Sequence, residues 1–101
     1  TEIIEEILKR LGRGEKTVAY GLEEVHKAAD LGAVEVLVLA DTLLREISDE
    51  GRLSLEQLMK SVEARGGKIL VVSTEHEAGA KLTALGGAAA LLRYALPTNS
   101  S

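Results

Sequence analysis

The 101-residue sequence contains no cysteine, tryptophan or phenylalanine, and its only aromatic residues are Tyr20 and Tyr94. Without cysteine the chain can form no disulfide and no thiolate zinc site, and it has no cysteine nucleophile, which fits a reducing, cytoplasmic location. Aromatic residues are 2% of the chain, so stacking on nucleic-acid bases is poorly supported. The core must therefore be built from Leu, Val, Ile and Ala.

The sequence also lacks a basic surplus and long apolar runs. Its formal net charge is −4 and its pI is about 5.2, whereas nucleic-acid binding draws much of its affinity from clustered Lys and Arg. We therefore expect no RNA contact. No apolar run approaches the roughly 20 residues that cross a bilayer, so no membrane partner is expected. A chain of this length is one domain, residues 1–101.

The first half of the chain alternates between helix and strand patterns. Apolar residues recur at helical spacing over 2–11 and over about 22–31, and a short β-prone stretch, Thr17–Tyr20, separates the two helices. "AVEVLVLA", at 33–40, is too short for a helix core and rich in β-branched residues, which predicts a buried central strand. Asp41 then serves as the N-cap of a short helical turn.

The second half continues the alternation and ends on a polar tail. A surface loop is predicted at 47–53, and a capping box at Ser54–Gln57 opens a helix that runs to Arg65. A second buried strand follows at Lys68–Ser73, and another capping box, at Thr74–Glu77, opens a helix that runs to about Leu85. The last strand is predicted at 88–96 and the tail at 97–101. The order predicts an α/β fold: a mixed sheet with helices on both faces.

The pair His76-Glu77 resembles the start of an H-E-x-x-H zinc helix, but Ala80 stands where the second histidine would be. The only other histidine, His26, is on a different predicted helix, so no metal and no cofactor are expected. Ser73 beside His76 lacks the glycines of a nucleophile elbow. No paired base and nucleophile can be assembled, which predicts a protein that is not an enzyme and has no catalytic residue.

Two glycine pairs, Gly66-Gly67 and Gly86-Gly87, do not stand in a phosphate-binding spacing. Each pair follows a predicted helix and precedes a predicted strand. It therefore lies at the C-terminal, negative end of the helix dipole, which is the wrong end for an anion.

Arg93 is the most informative single residue, because an arginine within "AALLRYAL" cannot be buried without a partner. Either it pairs with a carboxylate at the open end of the strand, or it lies on an exposed face beside Tyr94. Arg and Tyr are enriched in binding hot spots, so the second arrangement would offer both side chains to a partner protein.

Two segments and the spacing between them carry a family resemblance: "YGLEEVHKAADLGAVEVLVLAD" at 20–41 and "GGKILVVSTEHEAGAKLTALGGAAALLRYAL" at 66–96. They resemble the C-terminal domain of the Pelota (Dom34) family of archaeal and eukaryotic ribosome-rescue factors. A related domain closes the class I release factors, but those carry an insertion, often with CxxC pairs, where residues 41–54 here are short. The chain starts at Thr1 in mid-helix, so we expect it to be a fragment of a longer protein.

The resemblance implies a three-layer α-β-α sandwich similar to the kink-turn-binding ribosomal proteins, and a non-enzymatic module. In the family this domain helps to recruit a translational GTPase of the elongation factor 1 alpha type to the stalled ribosome in no-go and non-stop mRNA surveillance. It then faces the ABC-type ATPase that splits the subunits. The alternatives are kink-turn RNA binding and the equivalent domain of a peptide release factor.

The resemblance also implies a contact site. The release-factor motif for GTPase contact, Gly-Ile-Leu-Arg-Tyr, is aligned with Ala90, Leu91, Leu92, Arg93 and Tyr94, and its first two positions differ here. We expect these five residues to bind the partner, with the edge of the terminal strand as the contact surface.

Overall fold

The computed structural model describes residues 2–96, so the predicted polar tail at 97–101 lies outside the described residues. Helices and strands alternate as the sequence predicts, with differences at two strands and at three helix starts. In chain order the elements are α1 (Glu2–Gly12), β1 (Val18–Tyr20), α2 (Leu22–Asp30), β2 (Val34–Ala40), α3 (Asp41–Glu46), α4 (Asp49–Ala64), β3 (Lys68–Val72), α5 (Glu77–Ala84) and β4 (Ala88–Leu92).

The strands form one mixed sheet in the order β1-β4-β2-β3. Strand β4 is antiparallel to both of its neighbours, whereas β2 and β3 are parallel. Strands β4 and β2 are therefore central, which explains their nearly continuous apolar sequences.

Helices cover both faces of this sheet. On one face α2 and α4 supply Val25, Leu55, Leu58 and Val62 to a core shared with Leu37 and other sheet residues. On the opposite face α1 and α5 supply Ile4, Ile7 and Leu82 to a second core shared with Val38 and its neighbours. The predicted α/β class and three-layer arrangement are confirmed.

A β-bulge in β2 shifts its register against β4 by one residue. Val34 pairs with Leu92, but Val36 pairs with Leu91, so Glu35 is the extra residue. Without the bulge, strand alternation would point Glu35 to the same side as Leu37, into the core beneath α2 and α4. The bulge instead leaves Glu35 exposed.

Two strand predictions are wrong. Strand β3 is an edge strand and not a buried one, and its residues Leu70 and Val71 are exposed. The last strand ends at Leu92 and not at residue 96, and it is paired on both sides, so it offers no edge to a partner. Apolar composition alone does not distinguish a central strand from an edge strand whose apolar side chains are only partly covered by helices.

Helix α4 begins earlier than predicted. Residues 49–53, expected in a surface loop, form its first turns, and Ser54 lies within the helix and caps nothing. The N-cap is Ser48, whose hydroxyl accepts a hydrogen bond from the Gly51 N–H at 3.1 Å. The acidic residues Asp49 and Glu50 in the first turn favour this start, because they face the positive end of the helix dipole.

Asp41 makes a tertiary contact where a local cap was predicted. The N-cap position of α3 is Ala40, and Asp41 is the first helical residue. One carboxylate oxygen of Asp41 accepts hydrogen bonds from the Thr74 N–H at 3.1 Å and the Thr74 hydroxyl at 3.0 Å. The contact ties the end of β2 to the loop that follows β3.

The same contact overturns the second capping box. The Thr74 hydroxyl donates to Asp41, and α5 begins only at Glu77, with His76 at the N-cap position and no side-chain cap. The loop has its own local bond from the Glu75 N–H to the Ser73 hydroxyl, at 3.2 Å. The segment around His76 is therefore the loop between β3 and α5 and the start of that helix.

The Asp41 contact predicts a pH dependence of stability. The hydrogen bonds from Thr74 and the nearby Arg45 guanidinium hold the pKa of Asp41 below its usual range. An unfolded aspartate has a pKa of about 3.9, so the unfolded chain takes up the proton first as the pH falls. The stabilising effect of Asp41 is thus fully present above about pH 4 and is lost as the pH falls through the folded pKa.

We expect the unfolding free energy of the wild type to exceed that of Asp41→Asn at neutral pH, and the difference to shrink below about pH 4. Urea unfolding of both proteins across that range measures it. A difference that stays constant with pH would show that the charge of Asp41 contributes nothing.

Gly79 predicts a second effect on stability, because α5 crosses the loop after β3 without space for a side chain. A Cβ at Gly79 would lie 2.7 Å from the Thr74 Cα and closer still to the Ser73 carbonyl oxygen, which is backbone and cannot move aside freely. We expect Gly79→Ala to lower the unfolding free energy by about 1–3 kcal/mol. In Gly12→Ala the new Cβ meets nothing within 4 Å, so this control should be as stable as the wild type or slightly more stable.

Candidate partner-binding site

The chain leaves the sheet between two helix ends. The Arg93 N–H donates to the Ala33 carbonyl at 2.7 Å, which extends the pairing of β4 and β2 by one bond beyond Leu92. Arg93 and Tyr94 then follow in a bend, and both side chains are exposed. The end of β4 is also bonded on its other side, because the Leu92 N–H donates to the Thr17 carbonyl, next to β1, at 3.0 Å.

Each of the two exposed side chains is bonded to the end of a helix. The Arg93 guanidinium donates from Nη2 to the carbonyl of Arg65, the C-cap of α4, at 2.6 Å. The Tyr94 hydroxyl donates to the carbonyl of Leu31, the C-cap of α2. The last carbonyls of a helix have no partner within the helix and carry its negative dipole end, so a guanidinium is well placed there.

These two hydrogen bonds show which of the two expected arrangements Arg93 adopts. Arg93 is exposed beside Tyr94, as one of the two expected arrangements requires, but it is held by a backbone carbonyl and not by a carboxylate. The pair is therefore oriented before any partner arrives.

The three other residues of the predicted contact site are buried. Ala90, Leu91 and Leu92 have relative exposures of 5% or less, and each packs into one of the two cores. A partner on the folded domain cannot reach their side chains. Their contribution is to hold β4 in the sheet and thereby to position Arg93 and Tyr94.

Two residues that the sequence did not single out join the exposed pair. Leu31 is 47% exposed, and the Tyr94 side chain reaches its carbonyl. The guanidinium of Arg65 lies over Gly32, where a Cβ would be 3.3 Å from the Arg65 Cζ and closer to Nη1. Leu31, Arg65, Arg93 and Tyr94 are called the helix-end patch below. Leu31 and Arg65 each precede a glycine at the end of a helix. No sequence pattern predicts that these two helix ends lie close together.

The two arginines of the helix-end patch are not neutralised within residues 2–96. No carboxylate oxygen of this part of the chain lies within 4 Å of the Arg65 or Arg93 guanidinium, whereas Arg10, Arg13 and Arg45 each have one. The patch thus combines two guanidinium groups with an aliphatic and an aromatic side chain. Such a surface can bind a protein that brings carboxylates and some apolar area.

The other sequence candidates stay apart in the structure. His26, on α2, faces Ser54 of α4, with 3.3 Å between Nε2 and Oγ. His76 precedes α5, which packs on the opposite face of the sheet from α2. Over residues 2–96 no three His, Asp or Glu side chains cluster in a way that could hold a metal. Gly66 and Gly86 follow the C-caps of α4 and α5, as predicted. No helix within these residues is long and apolar enough to cross a membrane.

The family described as eRF1 domain 3 matches residues 1–96, and the chain belongs to that family. Among curated proteins it is 48% identical to a pelota homolog of Methanopyrus kandleri, over 94% of this chain and 27% of the relative. The resemblance to the C-terminal domain of Pelota is thus confirmed, and the chain spans about a quarter of the length of such relatives.

Solved structures of Dom34 and Pelota also resemble this chain in fold. Saccharomyces cerevisiae Dom34, described as interacting with Hbs1, has a TM-score of 0.89 at 41% identity, covering 95% of this chain and 27% of Dom34. A structure of ribosome-bound archaeal Pelota with ABCE1 has a TM-score of 0.80 at 46% identity, over 95% of this chain and 26% of that one. An archaeal translation termination factor is more distant, with a TM-score of 0.69 at 28% identity over 92% of this chain and 25% of that one.

The Tyr94 contact predicts a modest structural role. In Tyr94→Phe the Leu31 carbonyl loses a protein donor but stays accessible to water, so we expect the unfolding free energy to fall by about 1 kcal/mol or less. Tyr20→Phe is the matched control, because Tyr20 is 50% exposed and Tyr94 46%. Thermal unfolding of both variants compares them, and an equal effect of the two substitutions would show that the Tyr94 bond does not stabilise the fold.

Proposed function

We propose that this chain is the protein-binding module of a ribosome-rescue factor of no-go and non-stop mRNA surveillance. It recruits a translational GTPase of the elongation factor 1 alpha type and afterwards faces the ABC-type ATPase that splits the ribosome. The exposed pair of Arg93 and Tyr94, held by two helix ends, is the observation that carries the proposal. The module itself is non-enzymatic, and a protein with this role works in the cytoplasm.

The similar proteins support these partners. Dom34 is described with Hbs1, a translational GTPase, and archaeal Pelota is described on the ribosome with ABCE1. The identities to Saccharomyces cerevisiae Dom34, at 41%, and to ribosome-bound archaeal Pelota, at 46%, exceed the 28% to the termination factor. Pelota of Thermoplasma acidophilum is 26% identical but has the higher TM-score, 0.75 against 0.69. Residues 41–54 also consist of α3 and the first turns of α4, joined by two residues, and carry no insertion of the kind that the resemblance attributes to release factors. We therefore favour a rescue factor over a release factor.

The geometry of the pair suits a protein partner. Tyr and Arg are frequent hot-spot residues, and side chains already held in place lose little conformational freedom on binding. Kink-turn RNA binding is the second candidate, suggested by the shared sandwich fold. The net charge of −4 disfavours it, because RNA phosphates would be repelled by most of the surface.

The proposal predicts that Arg93→Ala and Tyr94→Ala each weaken GTPase binding by about tenfold or more, as hot-spot truncations do. Calorimetry with archaeal elongation factor 1 alpha loaded with a non-hydrolysable GTP analogue measures the affinity. Arg52→Ala is the matched control, because Arg52 is also exposed and donates to a carbonyl, that of Leu44. Arg52 lies near the opposite end of α4, about 20 Å from its C-cap.

Unchanged affinity of folded Arg93→Ala and Tyr94→Ala variants would contradict the proposed surface. No binding by the intact chain would contradict GTPase recruitment by this domain. A gel shift with kink-turn RNA at low salt tests the second candidate, and a shift abolished by high salt would favour it.

A further inference from the structure

Arg65 has an exposed, charged side chain with no assigned task. Its own carbonyl accepts the bond from Arg93, while its guanidinium lies over Gly32 and has no hydrogen bond or ion pair within residues 2–96. Arg93 uses a single nitrogen for its carbonyl bond, and a guanidinium has five N–H donors. Both groups can therefore accept further ligands from outside the chain.

The guanidinium groups of Arg65 and Arg93 lack carboxylate partners within residues 2–96, although the chain is acidic. The chain has 16 acidic residues against 12 basic ones, and other arginines find carboxylates on their own helix, as Arg10 and Arg45 do. Arg65 and Arg93 come from elements far apart in sequence and are brought to one place by the fold. A guanidinium fork matches a carboxylate in geometry, with two parallel N–H···O bonds.

We propose that the helix-end patch binds an acidic segment of the GTPase, with Arg65 and Arg93 each holding a carboxylate and with Leu31 and Tyr94 packing against the apolar part of that segment. This inference rests on the proposed function, because it assumes that the GTPase docks on Arg93 and Tyr94. What it adds is the chemistry of the partner surface and two further contact residues, Arg65 and Leu31.

A protein carboxylate is a better match than an RNA phosphate for two reasons. Leu31 is 47% exposed and aliphatic, so it gives RNA nothing to stack on, and Tyr94 is the only ring in the patch. The overall negative charge would also repel a polyanion along its length, whereas a short acidic segment meets only the local positive field.

The test compares Arg65→Gln with Arg52→Gln in the GTPase calorimetry, at about 50 and about 300 mM salt. We expect Arg65→Gln to weaken binding about fivefold at low salt and less at high salt, as removal of an exposed ion pair does. Arg52→Gln should change neither value. Arg65→Lys keeps the charge but not the fork and should recover part of the loss. Circular dichroism of each variant checks that it is folded.

The outcomes separate the two proposals. If Arg93→Ala weakens binding while Arg65→Gln has wild-type affinity at both salt concentrations, the acidic segment is wrong and GTPase docking stands. If the intact chain does not bind the GTPase, both are wrong. If Arg65→Gln abolishes a gel shift with kink-turn RNA and leaves GTPase binding unchanged, the patch binds phosphate and the inference is overturned.

Discussion

The central position of β4 is the constraint on which the rest of the structure depends. Strand β4 is paired on both sides, with β1 and with β2, and its five residues are all buried. Because the strand has no free edge, the chain must leave the sheet at its end, and the Arg93 N–H to Ala33 bond fixes where it does so. The exit lies between the C-terminal ends of α2 and α4, which explains why two polar side chains find helix carbonyls there.

A single arrangement thus stabilises the fold and, on the function we propose, also forms the binding surface. The carbonyls of Arg65 and Leu31 need donors, since helix ends leave such groups without partners. Arg93 and Tyr94 supply them and are themselves held in one orientation. Any partner that binds the pair meets a surface already ordered, and the buried residues Ala90–Leu92 act only through the position they impose. The two motif positions that differ here, Ala90 and Leu91, are buried, whereas the exposed positions Arg93 and Tyr94 match the motif.

Contacts distant in sequence overrode local signals at two helix starts. Asp41 and Thr74 each have the residue type of an N-cap, yet they bond to each other across 33 residues. Ser54 heads a capping-box pattern, but Ser48 starts the helix earlier. Helices α3 and α5 therefore begin without a side-chain cap, whereas α4 has a local cap in Ser48. The sequence shows the candidate caps, but the contact between Asp41 and Thr74 depends on packing that brings distant residues together.

The sequence by itself determined the order of helices and strands, the α/β class, the apolar strands β2 and β4, and that Arg93 is not buried without a partner. Periodicity, β-branching and the cost of burying a charge are local properties. Tertiary structure alone decided the strand order, and with it that β3 is an edge and β4 is not. It also decided which residues lie beside Arg93. Leu31 and Arg65 end two separate helices, and only the packing of α2 and α4 on the same face of the sheet places them at the exit of β4.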